Sequence, residues 1–106
     1  MRMWNVTPQL MCRQHLLGEH VEMHMFTGVI RQGKSIQGYL DNQLVEVDKI
    51  NERHNQLLKE MIKRGYKHNS KISNLKLPSI GFVDEKLNLE ILRQRCKECR
   101  RLQDGA

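Results

Sequence analysis

Apolar residues recur at steps of three and four along three stretches of this chain, and this spacing constrains the fold more than any other feature. Residues spaced in this way form one apolar stripe along a helix. The spacing is clearest at Leu44, Val47, Ile50, His54, Leu57, Leu58 and Met61. Lys63 and Arg64 then put cations in the last turn, and Gly65 stops the helix. The sequence therefore predicts a central helix that begins near Leu44 and ends near Arg64.

A further helix is predicted on each side of this central one. The first runs from Thr7 to about Met25, because Thr7 is a capping residue and Pro8 suits the first helical position. The third begins at Asp84, a second capping candidate, and runs to about Leu102 along another apolar stripe.

The two segments between these helices, 26–42 and 66–81, are interpreted as long basic loops because glycine, lysine and polar residues dominate them. Gly18 interrupts the stripe of the first helix, and we expect another part of the backbone to approach closely there. A chain of 106 residues encloses one modest hydrophobic core. The expected fold is therefore all-α, a compact three-helix single domain over residues 1–106.

The charge balance favours a polyanionic partner. There are 18 lysine and arginine residues against 12 aspartate and glutamate residues, a formal net charge of +6, and nucleic acid is bound by such chains through counterion release. The alternative is a soluble surface that is simply rich in lysine. Apolar runs fall short of the roughly 18 residues that a membrane helix requires, and the N-terminus lacks a signal-peptide pattern. Three cysteines form no regular disulfide framework, so we expect a cytoplasmic protein without membrane contact.

His15, Glu19 and Glu22 lie at spacings of four and three residues, which puts them on one flank of the first helix. Such a strip is either catalytic or simply a solvated helix face. In the first loop, glycines alternate with Arg31 and Lys34. This composition suits contact with phosphate, and a flexible connection between helices is an equal alternative.

Cys96 and Cys99 form a Cys-x-x-Cys pair inside the third predicted helix. Structural zinc sites usually combine two such close pairs. Here we identify one pair, with His15, His20 and His24 as further possible ligands. The alternatives are a metal-stabilised interaction module and two half-buried helix cysteines. Glycine-rich nucleotide motifs and a serine nucleophile elbow are missing from the sequence, which argues against nucleotide hydrolysis and serine esterase chemistry. No cofactor is expected.

Three pieces of the chain resemble the pyrimidine-dimer DNA glycosylase/AP lyase family, which includes endonuclease V of T4-type phages and short bacterial relatives. They are the opening MRMWN, the run QHLLGEHVE at 14–22, and His54 followed by LLKEMIKRGY at 57–66. The three occur in the same order and at similar separations as in the family, and the resemblance covers roughly residues 1–70. It implies a DNA repair enzyme that excises a pyrimidine damaged by ultraviolet light and nicks the abasic site.

The resemblance also implies the roles of three residues. Met1 takes the position of the nucleophile, whose α-amine attacks the sugar and forms an imine. An α-amine suits this step because it has a lower ordinary pKa than a lysine side chain and is more often neutral. Glu22 matches the essential carboxylate, which stabilises the ring-opened cation and moves protons before β-elimination. His15 matches a helper near the sugar and phosphate.

The expected partner is double-stranded DNA with damaged or abasic sites, bound by a monomer. Candidate phosphate contacts are Arg2, Arg13, Arg31, Lys34, Lys67 and Lys71. The chain departs from the family pattern at Val21 and Met25, where relatives carry DNA-positioning arginines, and its tail lacks the tyrosines of the phage enzyme. An altered lesion preference and a catalytically inactive DNA-binding relative are therefore both open at this point.

Overall fold

The computed structural model describes residues 1–67 and 76–105, and these residues form helices and connecting turns without any strand. The five α-helices are α1 (Arg13–Arg31), α2 (Gln37–Asp41), α3 (Ile50–Lys63), α4 (Glu85–Arg95) and α5 (Lys97–Asp104). Short 3₁₀ turns occupy Pro8–Leu10 and Val47–Lys49. The predicted all-α class is confirmed. None of the described helices is long and apolar enough to cross a membrane.

Helix α1 begins and ends later than the sequence predicted. Pro8 does start a helical turn, but the turn is of the 3₁₀ type and stops at Leu10, and the backbone of Met11 and Cys12 is then extended. At the other end α1 continues through residues 26–31, which the sequence analysis assigned to a loop. Phe26 and Thr27 are buried there, so tertiary packing outweighs the low helix propensity of the glycine that follows.

The third predicted helix is divided in two. Asp84 caps α4 as predicted, its carboxylate accepting the Leu87 N–H at 3.0 Å. Cys96 then has extended backbone angles, φ −126° and ψ 110°, and its sulfur accepts the Cys99 N–H at 3.4 Å to cap α5. The break directs Cys99 into the core, where it is fully buried. The count of five α-helices in the described residues thus replaces the predicted three.

Helix α1 packs along α3, and the core lies between them under the N-terminal segment. The buried apolar residues include Met3, Trp4, Val6, Met11, Leu16, Met23, Phe26, Val45, Ile50, Leu57, Leu92 and Cys99. Residues 1–6 therefore pack as part of the core instead of fraying, as chain ends commonly do. The Met3 N–H also donates to the Leu44 carbonyl at 2.6 Å, which fixes this segment beside the approach to α3.

A buried ion pair joins α1 to α3. Glu19 is 1% exposed and Arg53 is 2% exposed, and Arg53 Nη2 donates to Glu19 Oε1 at 2.8 Å while its Nε donates to Oε2 at 2.5 Å. The carboxylate also accepts the backbone N–H groups of Trp4 and Asn5. Burial raises the pKa of Glu19, and these hydrogen bonds oppose that rise. One carboxylate thus connects α1, α3 and the N-terminal segment.

We expect Glu19→Gln to lower the free energy of unfolding by about 3–5 kcal/mol, because it leaves the Arg53 charge buried without its counter-ion. Urea denaturation measures the change. Glu98→Gln is the matched control, since Glu98 pairs with Arg101 on the surface and should alter stability little. A Glu19→Gln protein as stable as this control would contradict the proposed importance of the pair.

Gly18 does not lie against any other described part of the chain, and the expectation of a close backbone approach is not met there. A Cβ atom built at this position meets nothing within 4 Å among residues 1–67 and 76–105. We predict that Gly18→Ala stabilises the fold by up to about 1 kcal/mol, because alanine has the higher helix propensity. Thermal or urea unfolding of the variant shows whether the free energy of unfolding rises or falls. A destabilised variant would contradict the prediction.

Candidate active site

The first residue of the chain lies next to a carboxylate of α1. Glu22 is half-buried on α1, and its Oε2 accepts the backbone N–H of Arg2 at 3.1 Å. The Met1 side chain is partly buried against the core, so residues on both sides of the first peptide bond are anchored. Glu22 therefore binds the N–H of the second residue, and the α-amine of Met1 lies one residue before that N–H.

His15 and Glu22 share a flank of α1, because seven residues make about two helical turns. The His15 ring packs edge-on against Trp4, with ring centroids 5.9 Å apart. Burial lowers the pKa of His15, and the charge of Glu22 opposes this effect. Of the three residues on the predicted polar strip, His15 and Glu22 line this region, whereas Glu19 faces the interior and holds the N-terminal segment.

Arg2 adds a cation to the same region. Its guanidinium carbon lies 3.9 Å from the centre of the Trp4 ring, and its Nη2 donates to Asn88 Oδ1 at 2.7 Å. Burial and then the nearby charge of Arg95 lower the pKa of Arg2, while Glu22 acts in the opposite direction. Arg2 is therefore positioned by α4 as well as by its place in the chain.

Asn88 holds the backbone of the candidate site and was not among the residues predicted from the sequence. Its amide nitrogen donates to the carbonyl of Trp4 at 2.8 Å and that of Met3 at 3.4 Å. The available signal was its spacing, because Asn88 lies four residues before Leu92, on the face of α4 that is buried. A polar side chain on a buried face requires hydrogen-bond partners, and here those partners are the backbone of the candidate site.

A family model described as pyrimidine dimer DNA glycosylase matches residues 1–74 of the 106-residue chain. The chain belongs to the pyrimidine dimer DNA glycosylase family. The comparison with curated proteins and the comparison with solved structures found no match. Membership makes this a chain of a DNA repair family whose substrate is DNA, in agreement with the resemblance found in the sequence. The matched range contains Met1, His15 and Glu22, and it ends before α4 begins.

The other basic residues that the sequence predicted as phosphate contacts are spread over the surface wherever the structure describes them. Arg13 lies 5.2 Å from the Tyr66 ring, and Arg31, Lys34 and Lys67 are exposed. Arg13 and Arg31 are each nine residues from Glu22, about half a turn around α1. The structure thus brings Arg2 to Glu22 and puts these two arginines on the other flank. Lys71 lies outside the described residues.

Two apolar side chains occupy the open face of α1 beside the candidate site. Val21 is 54% exposed and Met25 is 49% exposed. According to the resemblance, the family carries an arginine at the first of these positions and the phage enzyme carries one at the second. The surface next to Glu22 therefore has two apolar side chains in place of two charges.

Two groups of side chains in the described residues have the composition of metal ligands. One combines Cys12, His15, Cys96 and Cys99, and the other combines His20, His24 and His54. In the first group, burial raises the pKa of Cys99 to about 12. Burial also acts to raise the pKa of Cys96, but hydrogen bonds from Cys99 and Cys12 outweigh it and the pKa lies below its ordinary value.

The second ligand pair of the cysteine group is Cys12-x-x-His15, which has the same spacing as Cys96-x-x-Cys99. Of this pair the sequence predicts only His15 as a further possible ligand. Cys12 lies 84 positions before Cys96, and this distance along the chain hides the relation. The signal was present in the spacing, but only the fold brings the two pairs together.

In the histidine group, the Nε2 atoms of His20 and His54 lie 3.1 Å apart. The three rings pack together with centroid separations of 4.7–5.0 Å, and His24 meets each of the other two edge to face. This group is part of the packing between α1 and α3.

We predict that Asn88→Ala lowers the free energy of unfolding by about 1–3 kcal/mol, because it leaves buried carbonyls of the N-terminal segment without a donor. The control is Asn42→Ala, where an exposed amide donates to the Gly38 carbonyl and water can replace it. Urea unfolding compares the two, and equal losses would contradict the positioning role of Asn88.

Proposed function

We propose that this chain is a DNA glycosylase with AP lyase activity, which uses the α-amine of Met1 as nucleophile and acts as a monomer on double-stranded DNA containing an ultraviolet pyrimidine dimer. The observation that carries the proposal is the hydrogen bond of 3.1 Å between the Arg2 N–H and Glu22 Oε2. This hydrogen bond supports a nucleophile, the Met1 amine, close in space to a proton-transfer group, the Glu22 carboxylate. Both residues lie inside the range matched by the family model.

The first chemical step joins protein to sugar. The neutral Met1 amine attacks C1′ of the damaged nucleoside, the bond from C1′ to the base nitrogen breaks, and the base leaves with its electron pair. Opening of the sugar ring gives an iminium ion at C1′. The Glu22 carboxylate takes a proton from the attacking amine and passes it to the ring oxygen as the ring opens, and its charge then stabilises the iminium cation.

The second step cuts the strand. The iminium withdraws electrons from C2′, so a base can remove a C2′ proton, and Glu22 is the proposed base. The electron pair forms the C2′–C3′ double bond, and the C3′–O bond breaks with loss of the 3′ phosphate. Water then hydrolyses the imine and returns the free amine of Met1.

Arg2 and His15 are proposed to hold the sugar and its phosphates. Arg2 is fixed by Trp4 and Asn88, so it presents a cation at a defined position with little loss of side-chain freedom on binding. His15 lies on the flank of α1 that carries Glu22. Access to C1′ requires bending the duplex and extruding a nucleotide, at a cost of a few kcal/mol. Phosphate contacts from the proposed set Arg13, Arg31, Lys34, Lys67 and Lys71 offset this cost.

A second candidate function is a DNA-binding relative without catalysis. The exposed apolar side chains of Val21 and Met25 favour it, because two charges that position DNA in relatives are replaced beside Glu22. The two functions differ in whether the protein forms a covalent bond to the sugar.

Borohydride trapping distinguishes them. The protein is incubated in parallel with a duplex containing a pyrimidine dimer and a duplex containing an abasic site, and borohydride reduces any imine to a stable amine. Covalent products with both duplexes are expected, and mass spectrometry should find the adduct on the α-amine of Met1. Product with the abasic duplex alone indicates a lyase without glycosylase activity. Binding of both duplexes without any covalent product overturns the catalytic proposal.

An added residue ahead of Met1 provides a direct test of the nucleophile. The extension moves the free amine away from Glu22 and should abolish the trapped product while DNA affinity in a gel-shift assay stays within about twofold of the parent. Undiminished trapping, or an adduct mapped to a lysine, would exclude the Met1 amine.

Glu22→Gln should reduce strand scission by at least about a hundredfold, the lower end of what a general acid–base group contributes. DNA affinity should change little, since the variant keeps the side-chain length and an oxygen to accept the Arg2 N–H. Glu90→Gln, the same change at an exposed position of α4, is the control for net charge. Scission by Glu22→Gln at the rate of Glu90→Gln would remove Glu22 from the mechanism.

A further inference from the structure

Two pairs of metal-ligating residues begin two different helices. Cys12 is the N-cap of α1 and His15 is its third residue, and Cys96 and Cys99 occupy the same two positions at the start of α5. In each pair the first side chain and the third helical side chain lie at the same end of their helix. The N-terminal ends of α1 and α5 meet, so all four side chains come together although Cys12 and Cys96 are 84 positions apart in the sequence.

Three of the six distances within this group are close to the edges of a zinc tetrahedron. Zinc bonds of about 2.3 Å to sulfur and about 2.0–2.1 Å to nitrogen give edges of about 3.8 Å between two sulfurs and about 3.5 Å between sulfur and nitrogen. Cys12 Sγ lies 3.8 Å from Cys96 Sγ. His15 Nδ1 lies 3.2 Å from Cys12 Sγ and 3.6 Å from Cys99 Sγ. All four ligand atoms are within 4.8 Å of one another.

The surroundings of the group support thiolate ligands. The Cys12 N–H donates to Cys99 Sγ at 3.2 Å, and the Cys99 N–H donates to Cys96 Sγ at 3.4 Å. Backbone donors of this kind orient metal-bound sulfurs and offset part of their charge. Cys12 and Cys99 are buried, while Cys96 and His15 are half-buried. A metal ion could therefore reach the group from the side of Cys96 and His15.

We propose that Cys12, His15, Cys96 and Cys99 bind one zinc ion in a closed structural site. Three sulfurs and one imidazole nitrogen select zinc over magnesium or calcium, which prefer oxygen. Four protein ligands fill the tetrahedron, so the ion holds the structure together and leaves no position for substrate. The site fastens α5, and through it α4, to the start of α1.

The site also bears on the active-site region. His15 bound through Nδ1 keeps its proton on Nε2, so the ring becomes a fixed hydrogen-bond donor. This consequence rests on the proposed function, in which His15 contacts the sugar and phosphate. The zinc site itself does not, since metal content is measured without DNA. Cys96 and Cys99 lie beyond the range matched by the family model.

The test measures zinc in the purified full-length protein, kept reduced and dialysed against metal-free buffer. Elemental analysis and native mass spectrometry should give one zinc per chain. Cobalt(II) added in place of zinc should give the intense visible bands of a tetrahedral site and the ultraviolet charge-transfer band of cobalt–thiolate bonds. A strong chelator should lower the unfolding temperature by several degrees.

Three variants locate the site. Cys96→Ser changes a half-buried ligand and should weaken zinc binding at least about tenfold while the protein stays folded; Cys99→Ser should do the same, but its burial makes it the harsher variant. His24→Gln alters the separate histidine group and should leave one zinc bound. The Cys96→Ser protein should also lose the chelator effect on unfolding, which a merely structural cysteine would not cause.

Any of three results overturns the proposal, two from metal binding and one from disulfide formation. One is a folded, reduced protein that binds neither zinc nor cobalt. The other is zinc that survives Cys96→Ser and disappears with His24→Gln. A disulfide between Cys12 and Cys96 that forms in the presence of excess zinc would overturn it as well, because those sulfurs would then be unable to bind the ion. Failure of borohydride trapping with one zinc bound would contradict the enzyme and leave the metal site intact.

Discussion

The buried carboxylate of Glu19 is the interaction on which the rest of this structure depends. A charge removed from water must be matched by close partners, and Glu19 finds them in Arg53 of α3 and in the backbone of residues 4 and 5. Since the carboxylate and its partners come from three parts of the chain, satisfying one charge determines how all three meet. The path of the N-terminal segment is then fixed, and its first residues lie beside Glu22.

An N-terminal segment held in this way can serve as part of an active site. Chain ends are commonly mobile, yet catalysis requires reacting groups held close to their final geometry. Here Met3, Trp4 and Val6 are buried, and Asn88 binds the carbonyls of Met3 and Trp4 from the opposite side. The backbone of the first residues is thus bound by α1 on one side and by α4 on the other.

The C-terminal third packs against the part of the chain that the family model matches and holds its N-terminal residues in place. Asn88 and Arg95 of α4 act on the N-terminal segment and Arg2, and α5 brings two cysteines against the start of α1. A chain of 106 residues has a modest core, so contacts that join its two ends add much to its order. In the proposed zinc site, the same ligand that joins the ends, His15, also faces the candidate active site.

The amino-acid sequence by itself determined the all-α class, the central helix, the cap at Asp84 and the membership of the family, because each depends on local spacing or on motifs within residues 1–74. It named Glu22 and Met1 through the resemblance. It did not determine where α1 ends, since burial of Phe26 and Thr27 overrode a glycine-rich pattern. Only the tertiary structure showed that Glu19 faces inward while Glu22 faces the chain's first residues, that Asn88 holds the N-terminal backbone, and that Cys12 and His15 meet Cys96 and Cys99. These relations join residues far apart in sequence, and a helical repeat fixes which residues share a face without fixing what that face will touch.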